Sequence, residues 1–64
     1  MYYQITANDV EIVKKTDRVG KECWLEDNRK KYRHIVIARY NENHLNNGLE
    51  HYINGRLIYE YKEK

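Results

Sequence analysis

Phenylalanine and proline are absent from this chain, and cysteine and tryptophan occur once each. A single cysteine, Cys23, cannot close a disulfide within the chain, so the fold is not disulfide-stapled. A reducing cytoplasm is then the simplest compartment. No stretch approaches the roughly 20 consecutive apolar residues of a membrane helix. Met1-Tyr2-Tyr3-Gln4 lacks the basic start and apolar middle of a signal peptide. Gly20, Gly48 and Gly55 stand alone, so there is no glycine-rich phosphate loop. Cys23, His34, His44 and His51 are far apart, with no CxxC or HxxxH pair, and no metal or cofactor is expected.

What is there is short and rich in tyrosine. Sixty-four residues make one domain, 1–64. A domain of this size buries only about 60% of the surface its unfolded chain exposes, and its core supplies only about 3–5 kcal/mol. A deep substrate pocket would remove apolar contacts from that core. The size therefore argues against an enzyme and for a module that works with its outer surface. Twelve basic against ten acidic residues leave a formal charge of +2, too little to mark a nucleic-acid binder by itself. Seven tyrosines suit half-buried positions and interfaces, because each ring is apolar with a polar tip. Abundant Asn, Lys, Ile and Tyr without proline reads like translation of an AT-rich genome, as in many small phage and mobile-element proteins.

Along the chain, Arg33-His34-Ile35-Val36-Ile37-Ala38-Arg39-Tyr40 is the one run with apolar residues on both alternating sets of positions. It is expected to be the central strand, with Ile35 and Ile37 inside. Tyr2 to Ile5 and the β-branched run Val10 to Lys15 read as strands. Thr16 to Gly20 reads as a turn, with a positive φ at Gly20. Lys21 to Glu26 reads as a strand turning at Asn28-Arg29 into the central one. That hairpin would pair Glu26 with Lys31, Trp24 with Arg33 and Cys23 with His34. Leu45, Leu49, Tyr52 and Ile53 fall at i, i+4, i+7 and i+8, which favours a helix over 43–54. The rival reading makes Asn54-Gly55 a two-residue hairpin turn. Arg56 to Lys62 is the last strand, with Leu57, Tyr59 and Tyr61 on one face.

Four groups of residues invite a chemical reading. Arg29, Lys30, Lys31, Arg33 and Arg39, with no acid between the first and the last, form a basic strip able to grip phosphates. The bland alternative is a solvated turn. In the expected hairpin register Cys23, Leu25, Tyr32, His34, Val36, Ala38 and Tyr40 share one side of the sheet, which Leu57, Tyr59 and Tyr61 can join. If the helix covers that side it is core, which is the favoured reading; if the helix covers Ile35 and Ile37, it is an exposed patch of the kind that marks binding sites. Cys23 beside His34 would suggest a thiolate–imidazole pair, but neither an orienting group nor a cleft accompanies it. Glu22 and Glu26 flank Trp24 on one strand face, and an open site makes acid–base work there unexpected.

The expected architecture is α+β: a small antiparallel sheet of three or four strands with one helix packed on it. The expected function is non-enzymatic. It is a cytoplasmic protein that docks on another protein through Trp24, Tyr32, Tyr40, Tyr59 and Tyr61, as a phage-like product that inhibits or modulates a host factor. Homodimerisation stays open. The alternative is nucleic-acid binding through the basic strip.

Overall fold

The fold follows from where two kinds of periodicity meet local turn chemistry. A computed structural model describes residues 1–63. Strand β1 (Tyr2–Ala7) alternates strictly, with Tyr3, Ile5 and Ala7 buried and the residues between them half-exposed. Asn8 and Asp9 follow with φ of 50° and 66°. Paired left-handed residues are the mark of the two-residue turn whose twist matches a hairpin, and β2 (Val10–Thr16) returns antiparallel to β1.

Helix α1 (Arg18–Asn28) begins at Asp17, whose extended backbone and carboxylate cap it by accepting from the Gly20 N–H at 2.8 Å. Strands β3 (His34–Tyr40), β4 (Asn46–Ile53) and β5 (Arg56–Lys62) complete the chain. The sheet has five strands in the order β2-β1-β3-β4-β5, with every neighbouring pair antiparallel. The α+β class is as expected; the strand number is higher than the three or four expected, because a segment read as helix is a strand.

Two segments exchange their expected identities. The strand expected at Lys21 to Glu26 is the middle of α1. Lys21, Trp24, Leu25 and Asn28 turn inward at i, i+3, i+4 and i+7, a helical stripe. Gly20 lies inside this helix and takes no positive φ. The pairs Glu26–Lys31, Trp24–Arg33 and Cys23–His34 therefore do not form, and Cys23 is exposed on the helix. The helix expected over 43–54 is β4, which pairs with β3 and turns at Asn54-Gly55, with φ of 53° and 82°, into β5. Its four apolar residues do not share a face. Leu45 is exposed, Tyr52 is buried under the helix side, and Leu49 and Ile53 point the other way.

The core lies between α1 and one face of the sheet. It holds Tyr3, Ile5, Ala7, Leu25, Ile35, Ile37 and Tyr52, with Ile5, Ile35 and Ile37 sealed. Helix α1 lies over β1 and β2. The opposite face of the sheet has no layer on it, and all seven residues of β5 are exposed.

Candidate functional site

Because Ile35 and Ile37 face the helix, the alternate residues of β3 must face outward, and the register builds a surface from them. His34, Val36, Ala38 and Tyr40 supply its middle. Across the sheet, Gln4, Ala38, Leu49 and Tyr61 make one row. Glu11, Thr6, Val36, His51 and Tyr59 make the next. At one end Tyr2 stacks on Tyr40, with centroids 5.1 Å apart and planes at 15°. Lys15 Nζ sits 5.0 Å from the Tyr2 centroid, a cation–π contact. The Tyr2 hydroxyl meets His44 Nδ1 at 3.2 Å. Glu11 is held by a hydrogen bond from the Gln4 amide. The face is thus aromatic and apolar in the middle, with few free charges.

Tyr40, Tyr59 and Tyr61 of the expected partner-binding set lie on this open face, the latter two 51% and 44% exposed. Trp24 and Tyr32 do not join them. They stack on each other at 5.8 Å and 14° on the helix side, half-buried against the core. Their work is to fasten α1 to the segment leading into β3. Sequence reasoning missed Tyr2, Leu49 and His51 as members of the face. The alternation of β1 carried the signal for Tyr2, since burying Ile5 sends Tyr2, Gln4 and Thr6 outward.

The basic strip is divided. Arg29, Lys30, Lys31 and Arg33 are exposed in the connection between α1 and β3, at the end of the sheet that holds the Asn54-Gly55 turn. Arg29 also lies over the Tyr52 ring, 5.3 Å from its centroid. Arg39 stands six residues past Arg33, ~20 Å along an extended strand, and on the helix side. There its guanidinium donates to the Asn47 side chain and carbonyl at 2.9 Å each and to the Glu63 carbonyl at 3.2 Å.

The helix side holds one charged network. Lys21, 5% exposed, places Nζ 2.6 Å from Glu22 Oε1 and 3.2 Å from Glu50 Oε2. Burial opposes its charge, but the hydrogen bonds and attraction of Glu22 and Glu50 outweigh burial and hold the ammonium above its ordinary value. The Lys21 hydrogen bond and charge in turn pull the Glu22 carboxyl down. Tyr52 donates to Glu50 Oε1 at 2.7 Å. Burial, then that carboxylate, pushes its phenol well above the usual range. The cleft beside this network, about 350 Å³, is lined by Arg18, Lys21, Glu50 and Lys62 among others. Each carboxylate of the network faces a cation or a hydroxyl, so it is built to hold charge in place rather than to move a proton.

Glu22 and Glu26 sit on the exposed side of α1, not across a strand face. Among the described residues no three His, Cys, Asp or Glu side chains converge as metal ligands. No helix of the described residues is long and apolar enough to cross a membrane. Comparison with protein-family models, with curated proteins and with solved structures finds no match for this chain.

Proposed function

We propose that this chain is a non-enzymatic binding protein that docks on another protein through the open face of its sheet. One observation carries the reading: a layer-free sheet face presents Tyr2, Tyr40, Tyr59 and Tyr61 around Val36, Ala38 and Leu49. Tyrosines supply large, semi-rigid contact area and anchor protein interfaces. An exposed apolar patch costs a small domain solubility unless something covers it. The composition supports a finer proposal, that the chain is a phage or mobile-element product whose binding inhibits or modulates a host factor.

Nucleic-acid binding is the second reading. Its support is the exposed cluster Arg29, Lys30, Lys31 and Arg33 at one end of the sheet. Arg33 of the cluster precedes His34 of the tyrosine face, and Arg39 does not extend the cluster, so fewer phosphates are within reach than a continuous strip would hold.

Capture from a host lysate, with and without nuclease, separates the two. The protein reading expects nuclease-resistant capture of a discrete protein by the native chain. It also expects loss of that protein in the doubly substituted Tyr59→Ser, Tyr61→Ser chain, whose circular dichroism stays native. Capture that vanishes with nuclease, or that survives the tyrosine substitutions and fails in Lys30→Glu, Lys31→Glu, favours the basic cluster.

A further inference from the structure

His34 opens β3 and His51 lies near the end of β4. The register sets His34 against Ile53 and Val36 against His51, so the two histidines are diagonal neighbours on the open face. Their ring centroids are 4.4 Å apart, tilted by 48°. The two Nε2 atoms point at each other in hydrogen-bond contact, and neither has another partner. Only one proton fits between them, so at least one Nε2 presents a lone pair toward the other ring.

The position of His34 is well fastened. Its N–H donates to Asn8 Oδ1 at 3.1 Å, and its carbonyl accepts from the Asn8 N–H at 2.7 Å. On the far side of the ring, Asp9 Oδ1 lies 3.9 Å from His34 Nδ1. That separation is too long for a hydrogen bond, so Asp9 contributes only a negative charge on the side of the ring away from Nε2. Two imidazoles in cis positions on one ion, at about 2.0–2.1 Å each, hold their nitrogens about 3 Å apart. Both rings are half-exposed, and a small outward rotation of each reaches that spacing.

We propose that His34 and His51 form a two-imidazole site for a borderline divalent transition-metal ion of the Ni2+ and Zn2+ kind, with Asn8 fixing the backbone of His34. Imidazole suits these ions and not Mg2+ or Ca2+, which take oxygen ligands. Two protein ligands leave the other coordination positions to water on the solvent side of the sheet. The site is independent of the docking reading: metal binding is measured on the isolated chain, with no partner present.

The experiment uses the full chain, freed of metal and held in a non-chelating buffer with NiCl2 or ZnCl2. Ni2+ is the better probe, because it favours imidazole and is paramagnetic. At about 100 times its dissociation constant, bound metal raises the melting temperature by about 10 °C or more. In the native chain, Ni2+ broadens the Hε1 resonances of His34 and His51 together, ahead of His44; this readout needs no variant. The shift disappears in His34→Ala and in His51→Ala and persists in His44→Ala and Cys23→Ser. No melting shift with either ion, and no Ni2+ broadening, up to about 1 mM metal overturns the site. So does a shift that survives His51→Ala.

Discussion

Single residues bear unequal loads in this molecule. Ile37 is 1% exposed at the centre of the middle strand, between β1 and β4 and under the helix layer. Truncating such a side chain costs about 2–5 kcal/mol, as much as the whole core of so small a domain supplies. Ile37→Ala should therefore leave the chain largely unfolded at room temperature, and a melting curve that barely moves would remove β3 from the centre. The Lys21–Glu50–Tyr52 network sets the response to base. Folding raises the affinity of both Lys21 and Tyr52 for their protons. Above the ordinary values of 10.5 and 10.0, the unfolded chain releases these protons while the folded chain keeps them. Stability is then fully present below about pH 10 and falls as pH rises beyond it. In Tyr52→Phe the alkaline loss should be shallower, because one of the two groups is gone. Urea midpoints at neutral pH and at pH near 11 measure the difference. A variant as alkali-sensitive as the native chain would mean that Tyr52 ionises as readily folded as unfolded.

Among the elements, the strands with clear alternation or an apolar run were legible. β3, with Ile35 and Ile37 inside, needed only its own residues, and so did most of β1 and β2; β5 was expected as a strand, but its register shift sets Leu57 opposite Tyr52, away from Tyr59 and Tyr61, whose face it was expected to share. The helix was hidden by Lys21. A charged residue occupies an inward position of its stripe, so the apolar period of α1 is broken where it should repeat, and its burial is allowed only by Glu22 and Glu50, the latter far off in the sequence. The false helix at 43–54 arose from a chance spacing of Leu45, Leu49, Tyr52 and Ile53, residues that the strand sends to different environments. The side carrying Val36, Ala38 and Tyr40 was expected to be the core, but α1 covers Ile35 and Ile37 and leaves that side bare; where α1 packs is a fact no local pattern holds. The β4–β5 turn offers a test at this scale. Gly55 has φ of +82°, and an added Cβ would sit 3.1 Å from Arg29 Cγ. Gly55→Ala should destabilise by about 1–2 kcal/mol, the usual cost of a left-handed residue with a side chain, read as a drop in the urea midpoint at unchanged slope. A neutral result would mean that the turn relaxes freely. The basic cluster is tested through salt. If its four side chains bound duplex DNA, log affinity would fall with log salt at a slope of about −3 to −4. The protein reading expects only feeble binding at physiological salt, about 0.1 mM or weaker, by fluorescence anisotropy.

At the scale of the whole molecule, stability is spread unevenly across the sheet. Its two edges differ: α1 touches β2, where Val13 and Thr16 are half-buried and the rest exposed, whereas every residue of β5 is exposed. Separating β5 from β4 would break one ladder and uncover little of the core. Charges at Arg56, Glu60 and Lys62 and the register shift beside Tyr52 keep that edge from pairing freely with other strands. Native-state hydrogen exchange should therefore grade across the sheet. Amides of β1 and β3 exchange only through global unfolding, while those of β5 and their β4 partners exchange through a partial opening of lower free energy. The grade should not change with protein concentration. If β5 amides are as protected as those of Ile35 and Ile37, and more so at higher concentration, the edge is covered in solution by a second copy of the chain. The tyrosine face would then continue across two sheets, with Tyr59 and Tyr61 near its middle rather than at its margin.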